Sequence, residues 1–211
     1  MKNSYDKLAW AYDPLSRLVF FKAQVSAQVC LLPYIPKNSN ILIAGGGTGW
    51  ILEELSKIHP SGLTIVYVEL SQKMIEKAQR RDYKNNKVIF INQAMEDFET
   101  EDKYDVIMAA FFFDNFTEDK AGTIFHQLDN KLKPNGLWLF SDFIFNKSTG
   151  KPWQAWLLRI MYLFFKITCN IEARHVVDMQ LFFKSAGYKK LFETYRYGKF
   201  IKSDVYRKTD D

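Results

Sequence analysis

The chain has 211 residues, of which 47% are hydrophobic and 16% aromatic, and it carries a formal net charge of +5 at pH 7. A chain of this length buries well over half of its surface on folding, so we expect residues 1–211 to form a single domain. Two cysteines and three histidines exclude a disulfide framework and offer no metal-ligand spacing, so we expect no metal site.

The positive charge lies towards the C-terminus. Residues 146–211 contain 13 Lys and Arg against 6 Asp and Glu, whereas residues 1–145 contain 16 against 18. A basic surface attracts nucleic acid or an anionic membrane, but no recognisable RNA-binding motif accompanies it, so we expect no nucleic-acid partner. The chain starts without an apolar signal region, and no apolar run reaches the length of a membrane span. Together with the few cysteines, these features predict a cytoplasmic location.

Apolar runs alternate with amphipathic stretches along the chain. Strand-like runs lie at 40–44, 63–68, 87–91, 104–109 and 137–141, and helical periodicity covers 50–58, 72–81 and 117–133. Ser71 and Thr117 are of the types that cap helix N-termini, and Asn135-Gly136 indicates a turn before the fifth strand. Strands that alternate with helices predict a parallel sheet covered by helices on both faces.

The C-terminal part of the chain has a different pattern. Residues 188–196 and 199–207, joined at Gly198, are typical of a β-hairpin. We therefore predict an α/β three-layer sandwich with a seven-stranded, mostly parallel sheet that an antiparallel C-terminal hairpin closes. Residues 1–39 would form an N-terminal helical cap, and residues 146–187 a helical insert or lid before the hairpin.

A glycine cluster follows the first predicted strand. Gly45, Gly47 and Gly49 supply backbone freedom and lack Cβ atoms, which lets a ligand approach the main chain. The sixth position from Gly45 is Trp50, where the dinucleotide-binding fingerprint requires Gly or Ala. The alternating spacing instead resembles the first motif of class I S-adenosylmethionine-dependent methyltransferases.

Further segments carry the same resemblance. Glu69 ends the second strand, where the family places an acid for the ribose hydroxyls, and the segment 92–98 is similar to the one that reads the adenine edge. Residues 132–137, Leu-Lys-Pro-Asn-Gly-Leu, resemble the family's Leu-Lys-Pro-Gly-Gly turn. The pairs Tyr5-Asp6 and Tyr12-Asp13 resemble elements of small-molecule and quinone-pathway methyltransferases.

The resemblance implies S-adenosyl-L-methionine as the cofactor. The glycines would hold its amino-acid arm and ribose side, a leucine and an alanine–methionine pair would border adenine, and a tyrosine would close over it. The implied site consists of Tyr12, Ala44, Gly45, Gly46, Gly47, Gly49, Glu69, Leu70, Met74, Ala94, Met95, Ala110 and Phe111.

Two positions depart from the family pattern. Ile43 stands where relatives usually carry an acid, and Gln93 stands where Asp is frequent. Glu69 is then the main acid at these positions that faces a cationic ligand. A non-catalytic binding or scaffold protein with the methyltransferase fold is therefore an alternative to the enzyme. A nicotinamide-dependent oxidoreductase is a second alternative, which Trp50 and the C-terminal hairpin disfavour.

The acceptor side of the site is less defined. Methyl transfer needs a base only where the acceptor must lose a proton, so we take no catalytic residue as established, with His175, Asp142 and Asp114 as candidates. Residues 153–168 are apolar on nearly all sides of the predicted helix. They favour a small hydrophobic or aromatic acceptor, or contact with a membrane surface or a second subunit. A helix enclosed between the N-terminal helices and the core explains them equally well, and the oligomeric state stays open.

Overall fold

The computed structural model describes residues 22–145, 150–169 and 175–209. For residues 164–169 it describes the backbone alone. The predicted N-terminal cap is therefore described only from residue 22 onwards. There it consists of the short helix α1 (Ala23–Val29) and one turn of 3-10 helix at Leu32–Tyr34. This segment leads directly into the first strand.

Seven strands form one mixed sheet. Their bounds are β1 (Asn40–Ala44), β2 (Ser61–Glu69), β3 (Asn85–Asn92), β4 (Tyr104–Ala110), β5 (Leu132–Phe143), β6 (Lys189–Arg196) and β7 (Ile201–Arg207). The order across the sheet is β3-β2-β1-β4-β5-β7-β6. The first five strands pair in parallel, and β7 lies antiparallel between β5 and β6. The predicted seven-stranded sheet with its closing hairpin is confirmed.

The helices follow the predicted order with small changes at their ends. The remaining ones are α2 (Trp50–Ile58), α3 (Gln72–Ala78), α4 (Glu118–Lys131), α5 (Pro152–Cys169) and α6 (Met179–Ser185). Ser71 caps α3, because its hydroxyl accepts a hydrogen bond from the Met74 N–H at 3.3 Å. Thr117 occupies the N-cap position of α4, but its side chain forms no capping hydrogen bond. The predicted helix 72–81 ends at residue 78 because the next residues form tighter i→i+3 bonds.

The predicted turn at Asn135-Gly136 lies inside β5 rather than before it. Tyr104 pairs with Leu132, whereas Val106 pairs with Leu137, so a longer segment of β5 lies opposite a short segment of β4. Asn135 has a φ of 59°, the left-handed conformation that the turn prediction requires. The turn residues therefore form an irregularity within the strand, and β5 begins five residues earlier than predicted.

Helices cover both faces of the sheet. On one face, α4 and α6 surround Trp138: the Phe125 ring stacks on it at 5.0 Å, and the Phe183 ring meets it edge-on at 5.1 Å. On the other face, α2, α3 and the segment after α1 pack on apolar side chains of β1, β2 and β4, among them Ile43 and Tyr67. This arrangement is the predicted three-layer sandwich.

The two helices of the predicted insert have different surroundings. Phe183 of α6 is buried in the main core and stacks on Tyr206 at 4.0 Å. By contrast, α5 contributes Leu158 to a smaller cluster with Phe143 and Phe200 near the carboxyl end of β5. Of the two helices, α5 is the one that packs near the carboxyl end of β5. In the described part of the chain, no helix has both the length and the apolar character needed to cross a bilayer.

We expect Phe183→Ala to lower the free energy of unfolding by about 3–5 kcal/mol, since it removes a buried ring and leaves a cavity. Leu181 of the same helix is 61% exposed, so Leu181→Ala should change stability by less than about 0.5 kcal/mol. Urea unfolding followed by circular dichroism measures both variants. Equal effects of the two substitutions would contradict the docking of α6 on the core.

Candidate functional site

The candidate site lies at the carboxyl ends of the parallel strands, where ligands of open α/β sheets bind. The loop of residues 45–49 follows β1, and Glu69 ends β2. Phe111 and a turn of 3-10 helix at Phe113–Asn115 follow β4, and Asp142 lies near the end of β5. The fold thus brings elements that are far apart in sequence to one edge of the sheet.

The glycine loop is anchored on β2. The Tyr67 hydroxyl donates a hydrogen bond to the Gly47 carbonyl oxygen at 2.9 Å, and the Gly45 N–H donates to the Val68 carbonyl oxygen at 2.9 Å. Gly45, Gly47 and Gly49 all have φ between 65° and 76°, the left-handed region that glycine adopts without steric cost. The loop's own hydrogen bonds and glycine conformations therefore define its shape.

The glycines differ in what surrounds them. A Cβ atom at Gly49 would lie 2.6 Å from Cα of Ala78 in α3, one at Gly45 would lie 2.6 Å from the Phe112 ring, and one at Gly46 would overlap the Tyr67 ring. Among the described residues, no atom lies within 4 Å of where a Cβ atom at Gly47 would be. Three glycines thus permit close internal packing, and Gly47 is the position at which the loop borders open space.

Glu69 connects this loop to α3. One carboxylate oxygen accepts the Gly47 N–H at 2.9 Å, and the other accepts the Ser71 N–H at 2.8 Å. The side chain is buried, with 7% of its surface exposed. A carboxylate accepts up to about four hydrogen bonds, so this arrangement is compatible with further bonds to the hydroxyls of a nucleoside.

Leu70 follows Glu69 and is 45% exposed, as a side chain that stacks on a ligand ring would be. Its backbone is held by Asn92 at the end of β3, whose amide donates to the Glu69 and Leu70 carbonyl oxygens at 3.0 and 2.8 Å. Sequence reasoning included Asn92 in the segment 92–98 that resembles the adenine-reading segment, but it did not identify Asn92 as a site residue. The Gln93 amide donates to the Asp97 carbonyl oxygen at 2.6 Å.

Other predicted cofactor contacts lie at the same edge with varying exposure. Ala44, the last residue of β1, is buried, and so are Met74 and Met95. Ala94 and Ala110 are half-buried. Tyr12 lies outside the described residues. The methionines therefore contribute their side chains to the packing beneath the site.

Ile43 shows what replaces the usual acid near the glycine motif. Its side chain is 4% exposed and belongs to the apolar core that includes Leu52 and Tyr67. A charged group there would be buried without a partner in an apolar layer, which is costly. The departure from the family pattern is thus accommodated by apolar packing.

Asp142 and Asp114 form the acidic part of the site. The Asp142 carboxylate is buried and accepts hydrogen bonds from the Phe143 N–H at 2.8 Å and from the N–H groups of Phe113 and Asp114. Asp114 accepts a bond from the Asn115 amide at 2.8 Å. Burial raises the pKa of Asp114 to about 7. Burial, together with the charge of Asp114, also raises the pKa of Asp142, so this pair holds a proton near neutral pH.

Aromatic side chains surround these carboxyl groups. The Tyr162 hydroxyl of α5 is buried and forms no hydrogen bond with the described residues. Burial and the charges of both aspartates raise the pKa of Tyr162. The rings of Phe111 and Phe143 lie 5.0 Å apart, and Phe111 has a φ of 51°. Sequence reasoning placed Tyr162 only in an apolar stripe, because its position depends on how α5 packs.

His175, the third catalytic candidate, is exposed before α6. Of the three candidates, only the two aspartates therefore lie in the buried part of the site. Within the described ranges, no group of three or more His, Cys, Asp or Glu side chains is arranged to hold a metal ion.

Alanine substitutions should separate the roles of two glycines. Gly47→Ala introduces a left-handed alanine in open space, which costs about 1–2 kcal/mol of stability. Gly49→Ala adds a clash with the α3 backbone, which costs about 1–3 kcal/mol more. Thermal unfolding of the two variants measures this difference. If Gly47→Ala were the more destabilising, the assignment of Gly47 to the open side of the loop would be wrong.

Sequence comparison gives the family of the central part of the chain. Residues 41–136 match the family model of a methyltransferase domain. A malonyl-[acyl-carrier protein] O-methyltransferase of Halalkalibacterium halodurans is 40% identical over 107 residues, which are 49% of this chain and 38% of the relative. A second such enzyme, from Ilyobacter polytropus, is 34% identical over 104 residues, 49% of this chain and 39% of the relative. The chain thus matches about two fifths of each relative's length.

Solved structures share the fold over nearly the whole chain. The N-methyltransferase NodS of Bradyrhizobium japonicum WM9, in complex with S-adenosyl-L-homocysteine, has a TM-score of 0.72 at 14% identity and covers 99% of this chain and 100% of its own. A Burkholderia thailandensis 1,6-didemethyltoxoflavin-N1-methyltransferase with bound S-adenosylhomocysteine has a TM-score of 0.69 at 16% identity, with 98% and 87% covered. Residues 41–136 thus match a methyltransferase domain, and the chain has the fold of these solved methyltransferases.

Proposed function

We propose that this protein transfers a methyl group from S-adenosyl-L-methionine to a small, hydrophobic or aromatic acceptor. The observation that carries the proposal is the Glu69 carboxylate, which is bonded to the Gly47 N–H at 2.9 Å at the point where the glycine loop borders open space. A shaped main-chain loop beside a buried carboxylate suits a ligand that has both ribose hydroxyls and a charged arm.

The proposed cofactor contacts follow from the positions of the residues. The loop at Gly47 would take the amino-acid arm, Glu69 the ribose hydroxyls, and Leu70 with Ala94 one face of adenine. Tyr12 remains a predicted lid contact. When bound, S-adenosylmethionine supplies a methyl group on a positively charged sulfur, which is a strongly activated carbon.

Asp114 and Asp142 are the proposed proton acceptors. Because the pKa of Asp114 is about 7, this carboxyl group is ionised in a large fraction of molecules at neutral pH and suits general-base catalysis. The acceptor atom would form its bond to the methyl carbon while the carbon–sulfur bond breaks and its electron pair passes to sulfur. The proton of the acceptor would then pass to a carboxylate of the pair.

The surroundings of the pair favour a neutral acceptor. Phe111, Phe143 and Tyr162 provide aromatic surface there. The matched relatives are O-methyltransferases of a malonyl group, whose free carboxylate is negatively charged. Such an acceptor would place its own negative charge beside the aspartate pair, and like charges in one site disfavour each other. We therefore propose an O, N or C acceptor that carries a dissociable proton, such as a phenol or an amine.

A non-catalytic protein with the same fold is the alternative, and the substitutions at Ile43 and Gln93 favour it. A nicotinamide-dependent oxidoreductase is the third candidate function. Both differ from the proposal in ligand binding: the scaffold would bind neither cofactor, and the oxidoreductase would bind a nicotinamide nucleotide.

We also propose a cytoplasmic location, with which the free thiol of Cys30 is compatible.

We expect millimolar S-adenosylhomocysteine to raise the melting temperature, because a ligand that binds only the native state stabilises it. Glu69→Gln should weaken binding by about tenfold or more, since hydrogen bonds to a charged group contribute about 1.5–3 kcal/mol. Isothermal titration calorimetry measures this loss, and unfolding without ligand checks the fold of the variant.

Glu53→Gln is the matched control, because it removes the same charge from a partly exposed α2 side chain that pairs with Arg81 at 3.5 Å. Its affinity should equal that of the wild type. If S-adenosylhomocysteine does not shift the melting temperature, the scaffold alternative is favoured. Stabilisation by nicotinamide nucleotides alone would favour the oxidoreductase.

The stability of the protein should fall as the pH rises from about 4 to 7. The folded Asp114 has a pKa of about 7 against an ordinary value of 3.8, so the folded state binds more protons than the unfolded state in this interval. Asp114→Asn should reduce this fall, whereas Asp82→Asn, at an exposed site, should not. Chemical unfolding at several pH values measures the slope, and an unchanged slope in Asp114→Asn would remove this residue as the base.

A further inference from the structure

The helix α5 has two distinct faces. Gln154 and Leu158 are buried on the inner face, and the Tyr162 hydroxyl is buried on the same side. Four large apolar side chains share the opposite side of the helix and are exposed to between 39% and 65%: Trp153, Trp156, Ile160 and Leu163. Their spacing of three, four and three residues forms one stripe along a helix. We call this stripe the outer face of α5.

The start of α5 is fixed to the β6–β7 hairpin. The Gln154 amide donates a hydrogen bond to the Gly198 carbonyl oxygen at 3.1 Å. The Trp153 ring lies 5.5 Å from the Tyr197 ring and 5.8 Å from the Phe200 ring. These contacts fix the start of the helix, with Trp153 of the outer face packed against the hairpin and Trp156, Ile160 and Leu163 exposed beyond it.

The sequence of α5 and its immediate flanks carries charge of one sign. Residues 146–171 contain four Lys and Arg and no Asp or Glu. Arg159 is exposed and lies three residues after Trp156 and four before Leu163, which makes it a neighbour of both on the helix surface. Lys151 and Lys199 are also exposed near the start of the helix and in the hairpin turn.

The apolar stripe and the basic side chains together favour one kind of binding partner over another. Two copies of the chain that met through the outer face of α5 would bring basic side chains of like charge together, which disfavours a homodimer through it. An apolar stripe with tryptophans and flanking basic residues suits the boundary between acyl chains and anionic headgroups. Leucine and isoleucine side chains would enter the acyl region, and basic groups would meet the phosphates.

We propose that the outer face of α5 binds the surface of an anionic lipid membrane. Trp156 and Leu163, the most exposed members of the stripe, would carry most of the contact, and Arg159 would supply the preference for negative headgroups. The proposal rests on α5 alone and not on the methyl-transfer reaction.

The test uses the full chain and large vesicles of phosphatidylcholine, with or without phosphatidylglycerol. In co-sedimentation at low salt, we expect the wild type to bind the anionic vesicles on the order of tenfold more strongly than the neutral ones, and binding should weaken at high salt. The double variant Trp156→Ser/Leu163→Ser should lose binding to the anionic vesicles, and Arg159→Gln should reduce their preference over neutral ones.

Leu181→Ser is the matched control, since it changes an equally exposed leucine on α6 and should leave vesicle binding unchanged. S-adenosylhomocysteine binding by the double variant reports separately on its fold and on the proposed cofactor site. Vesicle binding that is absent in the wild type, or unchanged in the double variant, would overturn the proposal. A dimer in sedimentation velocity that the double variant dissociates would assign the outer face to a second copy of this chain instead.

Discussion

The structure of the site depends on one buried carboxylate. Glu69 accepts the Gly47 N–H and the Ser71 N–H, and a buried charge requires such bonds because its desolvation is otherwise costly. The two bonds connect the loop after β1 to the start of α3, although the two N–H groups are 24 residues apart in sequence. The residue proposed to bind the ribose thus also orders the loop that would receive the rest of the ligand. Such preorganisation lowers the entropy lost on binding.

The glycines of the loop meet two requirements, internal packing and access to a ligand, which the sequence alone does not distinguish. Gly46 and Gly49 lack side chains because the Tyr67 ring and the α3 backbone occupy the space that a Cβ atom would need. Gly47 borders open space and needs glycine for its left-handed backbone. Gly45 likewise has the Phe112 ring in the space of a Cβ atom, so the loop reflects internal packing at three positions and access to a ligand at a fourth. A glycine-rich loop is thus weaker support for ligand binding than the residues that hold it, here Glu69 and Tyr67.

The elements that sequence analysis predicted well are those with local signals. The buried strands appear as apolar runs, and Glu69 is marked by its place at the end of one of them. The early start of β5 was missed because Asn135-Gly136 has turn chemistry that the sheet accommodates as an irregularity. Tyr162 was missed because its relation to Asp142 arises only when α5 crosses the carboxyl end of β5. Residues that act through tertiary position carry no local pattern by which a single sequence could reveal them.

The proposed acceptor side of the site includes α5, which lies in the insert that interrupts the alternation of strands and helices. The helix α5 contributes a buried hydroxyl on one face and exposed tryptophans on the other, while Asp142 remains on the sheet. Burial and the charges of Asp114 and Asp142 raise the pKa of the Tyr162 hydroxyl, so this side chain of α5 lies within electrostatic reach of both carboxyl groups. Binding of the outer face to a surface and proton transfer at the inner face would then be linked through a single helix.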